Sequence, residues 1–268
     1  MLADQRVLDR LRDGEPVLSL GVRNARTTEI VRMARSAGFG MLWIDLEHCG
    51  MTVDQAAQIA ATALDLGIEG WVRTTERDCS VIGRLLDGGV TGIIAPRIET
   101  AEEARQVVAA ARFPPRGLRS QITLLPQLGY RRVPPAELMR HAEQSTSVHA
   151  LLESAKGIAA AEAIAAVDGL DVLHVGLNDL SVDLGHVGNP THDEVIDACQ
   201  HVIAAAKRHG KLAVVGGLAD PARSGELFRA GAAPLIFAAI DTDLLASGLV
   251  QRAQEWRTRL DSMMNPQP

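Results

Sequence analysis

Short, unbroken apolar runs recur along the chain, and each is followed by a stretch in which apolar residues return with helical spacing. The runs at residues 17–21, 41–45, 70–73, 92–96, 148–153, 171–175, 212–215 and 235–239 predict strands. Helical periodicity predicts helices over 27–37, 53–66, 78–86, 101–111, 136–144, 193–209, 221–230 and about 242–260, with an alanine-rich helix between the strands ending at 153 and 175. Thr27 or Thr28 offers a cap for the first of these, and Gly38 stops it. A strand apolar on both faces is one covered on both faces, which is the condition of a parallel sheet sandwiched by helices. About eight strand–helix units with no linker between them predict a single (β/α)8 TIM barrel spanning 1–268. A doubly wound open sheet is the competing fold, but it commonly carries a GxGxxG turn after its first strand, and none stands here. One segment breaks the rhythm, FPPRGLRSQITLLPQLGYRRVPP at 113–135. Loops of that length inside a compact domain are usually functional, and Arg116, Arg119, Arg131 and Arg132 make it a candidate for recognising an acidic substrate tail, or else a solvated basic loop.

Composition removes several function classes. The 268 residues are 47% hydrophobic with a net charge of −6, and no basic run offsets it, so a nucleic-acid partner is not expected. No apolar run is long enough to span a bilayer, so no membrane partner is expected. The first 16 residues alternate charges with leucines and lack the apolar core of a signal peptide, so a soluble, cytoplasmic protein is expected. Cys49, Cys79 and Cys199 are far apart and read as free thiols.

In a barrel of this kind the chemistry lies at the carboxyl ends of the strands. Position therefore filters the candidates. Glu153 and Asp179 follow consecutive parallel strands and emerge at the same end of the sheet. Two hard carboxylates meeting there suit a divalent cation, although a solvated strand end and a helix N-cap account for the same pair on these residues alone. Arg73 ends the strand EGWVR, where a buried cation needs a negative partner: a substrate oxyanion, or a neighbouring glutamate. His48 follows its strand directly, as general base, metal ligand or loop histidine. Glu47, Arg97, Gly216, Gly217 and Asp241 pass the same filter. His174 lies inside a strand and reads as core, while His186 and His192 flank a Gly-Asn-Pro turn and read as surface. The glycine pair has no Lys, Arg, Ser or Thr beside it, so a phosphorylated substrate is not supported.

The stretches IDLEH, VRTTE, RLLDGGVTGIIAPRIETAEEARQVVAAARFPPRGLRS, LLESAKG and GLNDLSVDLG, in register from about Gly21 to Ala246, resemble the HpcH/HpaI aldolase family, metal-dependent pyruvate aldolases related to citrate lyase β subunits. The resemblance implies a barrel of the phosphoenolpyruvate/pyruvate-binding type, usually a homohexamer with the last helix exchanged between subunits. It implies a reversible cleavage of a 4-hydroxy-2-oxo acid to pyruvate, or a related 2-oxo acid, and an aldehyde. Glu153 and Asp179 would then hold Mg2+, Mn2+ or Co2+, with Arg73 on the keto oxygen and His48 as acid and base. Asp87 would partner that histidine, often from a neighbouring subunit, and the backbone of Gly176, Leu177, Asn178 and Asp179 would hold the substrate. The chain departs from the family's better-known members at Leu151, where a glutamine is common, at Leu177-Asn178, at Thr74 and at Gly216-Gly217, which bears on the substrate. A lyase acting on a CoA thioester and a non-catalytic 2-oxo-acid-binding relative are the alternatives.

Overall fold

In the computed structural model, which describes residues 5–75 and 78–265, the eight expected strands form one parallel sheet: β1 (Val17–Val22), β2 (Met41–Asp45), β3 (Glu69–Arg73), β4 (Gly92–Ala95), β5 (Ser147–Leu152), β6 (Val172–Gly176), β7 (Leu212–Gly216) and β8 (Leu235–Ile240). Neighbours run β7-β6-β5-β4-β3-β2-β1-β8. The two ends of that row meet where the Ala233 N–H donates to the Ala213 carbonyl at 2.7 Å. The result is the TIM barrel, nearly closed.

The helices, in chain order, are α1 (Val7–Arg12), α2 (Glu29–Ser36), α3 (Val53–Asp65), α4 (Ile82–Asp87), α5 (Ala101–Ala111), α6 (Pro135–Ser145), α7 (Ala155–Ala159), α8 (Ala161–Ala165), α9 (Leu177–Asp183), α10 (Asp193–Arg208), α11 (Pro221–Ala230) and α12 (Asp241–Met264). Local chemistry sets their starts. Thr52 and Thr100 each close a capping box, with Gln55 and Glu103 three residues on. Asp220 caps α11 ahead of Pro221.

Period-2 alternation splits each strand between two cores. Val148, Ala150 and Leu152 of β5 face out against the helices, in the larger apolar cluster. Met41, Trp71, Ile94, Leu151, Val172 and Val214 face in and fill the barrel. Polar residues also enter this interior. His149 Nδ1 lies 2.9 Å from His174 Nε2, and His149 Nε2 lies 2.7 Å from Ser147 Oγ. Burial drives both imidazoles down, His174 to about 3, so each stays neutral. These histidines are core residues, as their place within strands predicts.

The structure also corrects the sequence reading at two places. It adds α1, which the alternating charges concealed. Val7, Leu8 and Leu11 plug the amino-terminal mouth of the barrel, and the Val7 N–H donates to buried Glu69 at 2.8 Å. The second correction concerns the segment 113–135. It connects the carboxyl end of α5 to α6 and thus lies at the amino-terminal end of the barrel, away from the strand carboxyl ends. There Arg116 pairs with Glu143 at 3.1 Å, and Arg119 pairs with Asp87 at 2.7 Å. Within one chain this segment does not reach the substrate end.

Candidate active site

The carboxyl mouth is assembled from residues that continue the inward-facing set. On β2 that set is Met41, Trp43 and Asp45; on β3 it is Glu69, Trp71 and Arg73, and the register pairs Asp45 with Arg73. Asp45 is fully buried. It receives Arg73 Nε at 3.0 Å on one oxygen and Nη2 at 2.7 Å on the other, a bidentate fork, while Arg23 Nε reaches the second oxygen at 2.7 Å. Burial acts to raise the Asp45 carboxyl, but the hydrogen bonds and charges of Arg73 and then Arg23 outweigh it and hold it below its usual range. Arg73 Nη1 lies 2.9 Å from Glu47 Oε2. The neighbouring-glutamate partner anticipated for Arg73 is present, and Asp45 joins it. A guanidinium has five N–H donors; the hydrogen bonds to Asp45 occupy two of them, and Nη1 is ion-paired with Glu47.

Two strands along the barrel from Arg73 stands Glu153, one residue past β5 and 7% exposed. Its carboxylate fits because Gly176, beside it on β6, has no side chain: a Cβ there would lie 2.5 Å from Glu153 Oε1. Burial, the charge of Asp179 and then that of Glu47 push the Glu153 carboxyl up from 4.5 to about 7, against the opposing Arg73 charge and the Arg97 N–H. Asp179 itself sits in the first turn of α9 and not at its cap. The two carboxylates expected to converge therefore do converge, and they repel one another. Buried Glu47 Oε2 adds an acceptor that receives no well-directed hydrogen bond. Hard oxygen donors, excess negative charge and a carboxylate cradled against bare backbone fit a divalent cation held by Glu153 and Asp179.

Arg23, Arg73, Glu153 and Asp179 line one cavity of about 560 Å³, together with Trp43, His48, Leu151, Asn178, Gly216, Gly217 and Phe237. Gly217, at φ +92°, occupies a backbone conformation that L side chains rarely adopt. His48 is half exposed at 52%, its Nε2 3.8 Å from Glu47. Asp87 is elsewhere. It ends α4, which runs back from β3 to the amino-terminal end of the barrel, and it binds Arg119. One chain does not bring Asp87 to His48.

Sequence reasoning missed Asp45 and Arg23, whose signal was inward parity rather than position after a strand. A further cluster, His186, His192 and Glu194, brings its ligand atoms within 4.8 Å of one another; its imidazole planes are stacked at 3.5 Å and 16°, His186 Nε2 lies 2.7 Å from Glu194, and His192 Nδ1 caps α10.

The Glu153 carboxyl carries a pH consequence. Its folded value lies above its unfolded one, so the fold gains from the bound proton below about 4.5 and loses that gain as pH rises to about 7. The metal-free protein is expected to lose about 3 kcal/mol from this group across that window. In a Glu153→Gln variant the loss is absent, which denaturant unfolding of both proteins at pH 5 and 8 would measure. A loss of the same size in both proteins would assign it to other groups.

The fold and the mouth together define a TIM-barrel protein with a ligand cavity walled by acids and backed by a buried arginine. The chain belongs to the HpcH/HpaI aldolase/citrate lyase family, whose model matches residues 22–247. It is 37% identical to a 4-hydroxy-4-methyl-2-oxoglutarate aldolase of Hapsidospora irregularis, over 94% of this chain and 95% of that one. Identity to a hydroxypyruvate/pyruvate aldolase of Chromohalobacter salexigens is 34%, over 83% and 86%. Among solved structures, an HpcH/HpaI aldolase from Desulfitobacterium hafniense DCB-2 superposes with a TM-score of 0.86 at 27% identity, covering 94% of this chain and 96% of that one.

Proposed function

We propose that the protein is a metal-dependent aldolase that reversibly cleaves a 4-hydroxy-2-oxo acid into pyruvate, or a related 2-oxo acid, and an aldehyde. The observation that carries this reading is the presence of Glu153, Asp179 and Arg73 in one cavity, with the charges of Asp179 and Arg73 both acting on Glu153. Glu153 and Asp179 would hold Mg2+, Mn2+ or Co2+, which supplies Lewis-acid stabilisation of charge on the keto oxygen. Arg73 is held rigid by Asp45 and Glu47. It lines the cavity, where its fixed guanidinium would stabilise the oxygen on which negative charge develops. The backbone of Gly176, Leu177, Asn178 and Asp179 borders the substrate carboxylate.

His48 takes the proton from the C4 hydroxyl. The electrons of the C3–C4 bond pass to C3, the aldehyde departs, and the resulting enolate recovers a proton at C3 to give pyruvate. Asp87 would reach a histidine only from another copy of the chain, which makes the oligomer part of the site. An oligomer also explains α12. Of its 24 residues only Asp241 is buried, and Leu244, Leu249, Val250, Trp256 and Leu260 are exposed. Such a helix is most stable when exchanged into a second copy, in a homohexamer as the family resemblance implies. Light scattering is expected to give a multiple of the 28.6 kDa chain, reduced by Trp256→Asp. A monomeric mass for the unmodified protein would refute the exchange.

Among the described residues no helix is long and apolar enough to cross a membrane. The chemistry needs no lysine. Lys156 opens α7 and binds Glu99 at 2.9 Å, and neither Lys207 nor Lys211 lines the cavity. Chelation is expected to abolish cleavage, and borohydride with pyruvate is expected to leave the protein unlabelled. Trapping on a lysine would overturn the reading.

A further inference from the structure

We infer that Arg23 selects for a carboxylate on the carbonyl acceptor, so that the preferred substrate is a 4-hydroxy-2-oxo acid carrying a second, distal acid group. This rests on the aldolase reading and narrows its substrate.

Arg23 lies two residues beyond Gly21 in the inward set of β1 and lines the cavity. Its backbone is clamped. The carboxylate of Asp241, buried at the start of α12, accepts the N–H groups of Arg23 at 2.8 Å, Asn24 at 3.0 Å and Ala25 at 2.7 Å. Its side chain is anchored as well, by Nε on Asp45 at 2.7 Å and by the Trp43 ring, 5.3 Å from Cζ. Those contacts leave Nη1 and Nη2 without a hydrogen-bond partner among the described residues. Asp243 also lines the cavity but forms no ion pair with Arg23 among the described residues. A fixed guanidinium presenting two unspent nitrogens to a cavity matches a carboxylate in planar, bidentate fashion.

Topology supplies the direction. In an eight-stranded barrel β1 lies across the mouth from β5, four strands away in either direction. A 2-oxo acid whose carboxylate and keto oxygens sit at the Glu153 and Asp179 side extends its remaining carbons toward Arg23. Trp43, Leu151, Ile94 and Phe237 are among the residues that line the same cavity, and a terminal acid is the group that finds a strong partner in Arg23.

The test compares kcat/KM for 4-hydroxy-4-methyl-2-oxoglutarate, which has the distal carboxylate, with that for 4-hydroxy-2-oxovalerate, which does not. Wild type is expected to favour the diacid by about 10- to 100-fold, the worth of a charge-assisted pair. Arg23→Gln is expected to collapse that ratio to near unity, mostly through KM, and Arg23→Lys to keep part of it. If Arg23 served only to hold Asp45, both substrates would suffer alike and the ratio would survive, which overturns the inference.

A binding measurement separates this from failure of the aldolase reading itself. With Mg2+ present, calorimetry should show 2-oxoglutarate bound at least tenfold more tightly than 2-oxobutyrate by wild type, and equally by Arg23→Gln. That preference in a protein that cleaves nothing would sink the aldolase reading while the Arg23 assignment stands. Equal binding by wild type would remove Arg23 from the role.

Discussion

Glu153→Gln is expected to lower kcat/KM by at least about 10³-fold at saturating Mg2+, the scale of losing a group that stabilises charge in a water-poor site. Glutamine has the same shape, and the space opposite Gly176 that admits the carboxylate admits the amide, so the barrel should fold as before. What disappears is a negative ligand. In the wild-type mouth Glu153 is pushed up to about 7 by burial and by Asp179 and Glu47, so proton and cation compete for the same oxygens. Metal affinity should fall steeply below that pH in wild type. In the glutamine variant it should be weak throughout, as calorimetric titration with Mg2+ or Mn2+ at pH 6 and 8 would show. Wild-type turnover in this variant would leave Glu153 a structural residue only.

Arg73→Lys is the second large effect, a fall of about 10²- to 10³-fold in kcat. Charge is conserved, yet the function depends on the fork. Arg73 meets both oxygens of Asp45 while a third nitrogen reaches Glu47. A lysine has one nitrogen and three donors, and satisfying Asp45 and Glu47 leaves it little to offer a reacting oxygen. Because the loss concerns charge formed during reaction, kcat should drop more than KM rises. Steady-state kinetics on one substrate decides this, and a change confined to KM would reassign Arg73 to ground-state binding.

Much of this protein was legible in its sequence for a physical reason. Strands buried on both faces are continuous apolar runs, and all eight lie within a residue or two of where those runs predict them. The helices that begin at Thr-initiated capping boxes were equally plain. The helix α1 was not, because it is under two turns long with only Val7, Leu8 and Leu11 apolar, and its partner surface, the barrel floor around Trp71 and Glu69, exists only after the sheet closes. The pairing of Glu153 with Asp179 followed from parallel strands alone, since such strands end together. The Asp45–Arg73–Arg23 cluster followed from something finer, the parity that turns residues 41, 43 and 45 inward. The arginines at 113–135 misled because nearness in sequence to the site-bearing loops does not indicate which end of the barrel a helix terminus occupies. A helix that packs against a parallel strand runs opposite to it, and so carries its last residue away from the mouth.

The most direct test of the account is exchange of the pyruvate methyl protons with deuterium, followed by NMR. Enolisation is the chemical core of the proposed cleavage, and the exchange needs neither an acceptor nor knowledge of the natural substrate. The account predicts exchange that requires a divalent cation, stops on chelation, and is lost in Glu153→Gln and Asp179→Asn. Exchange that continues at full rate in chelator-treated protein, or in either of those variants, would contradict it.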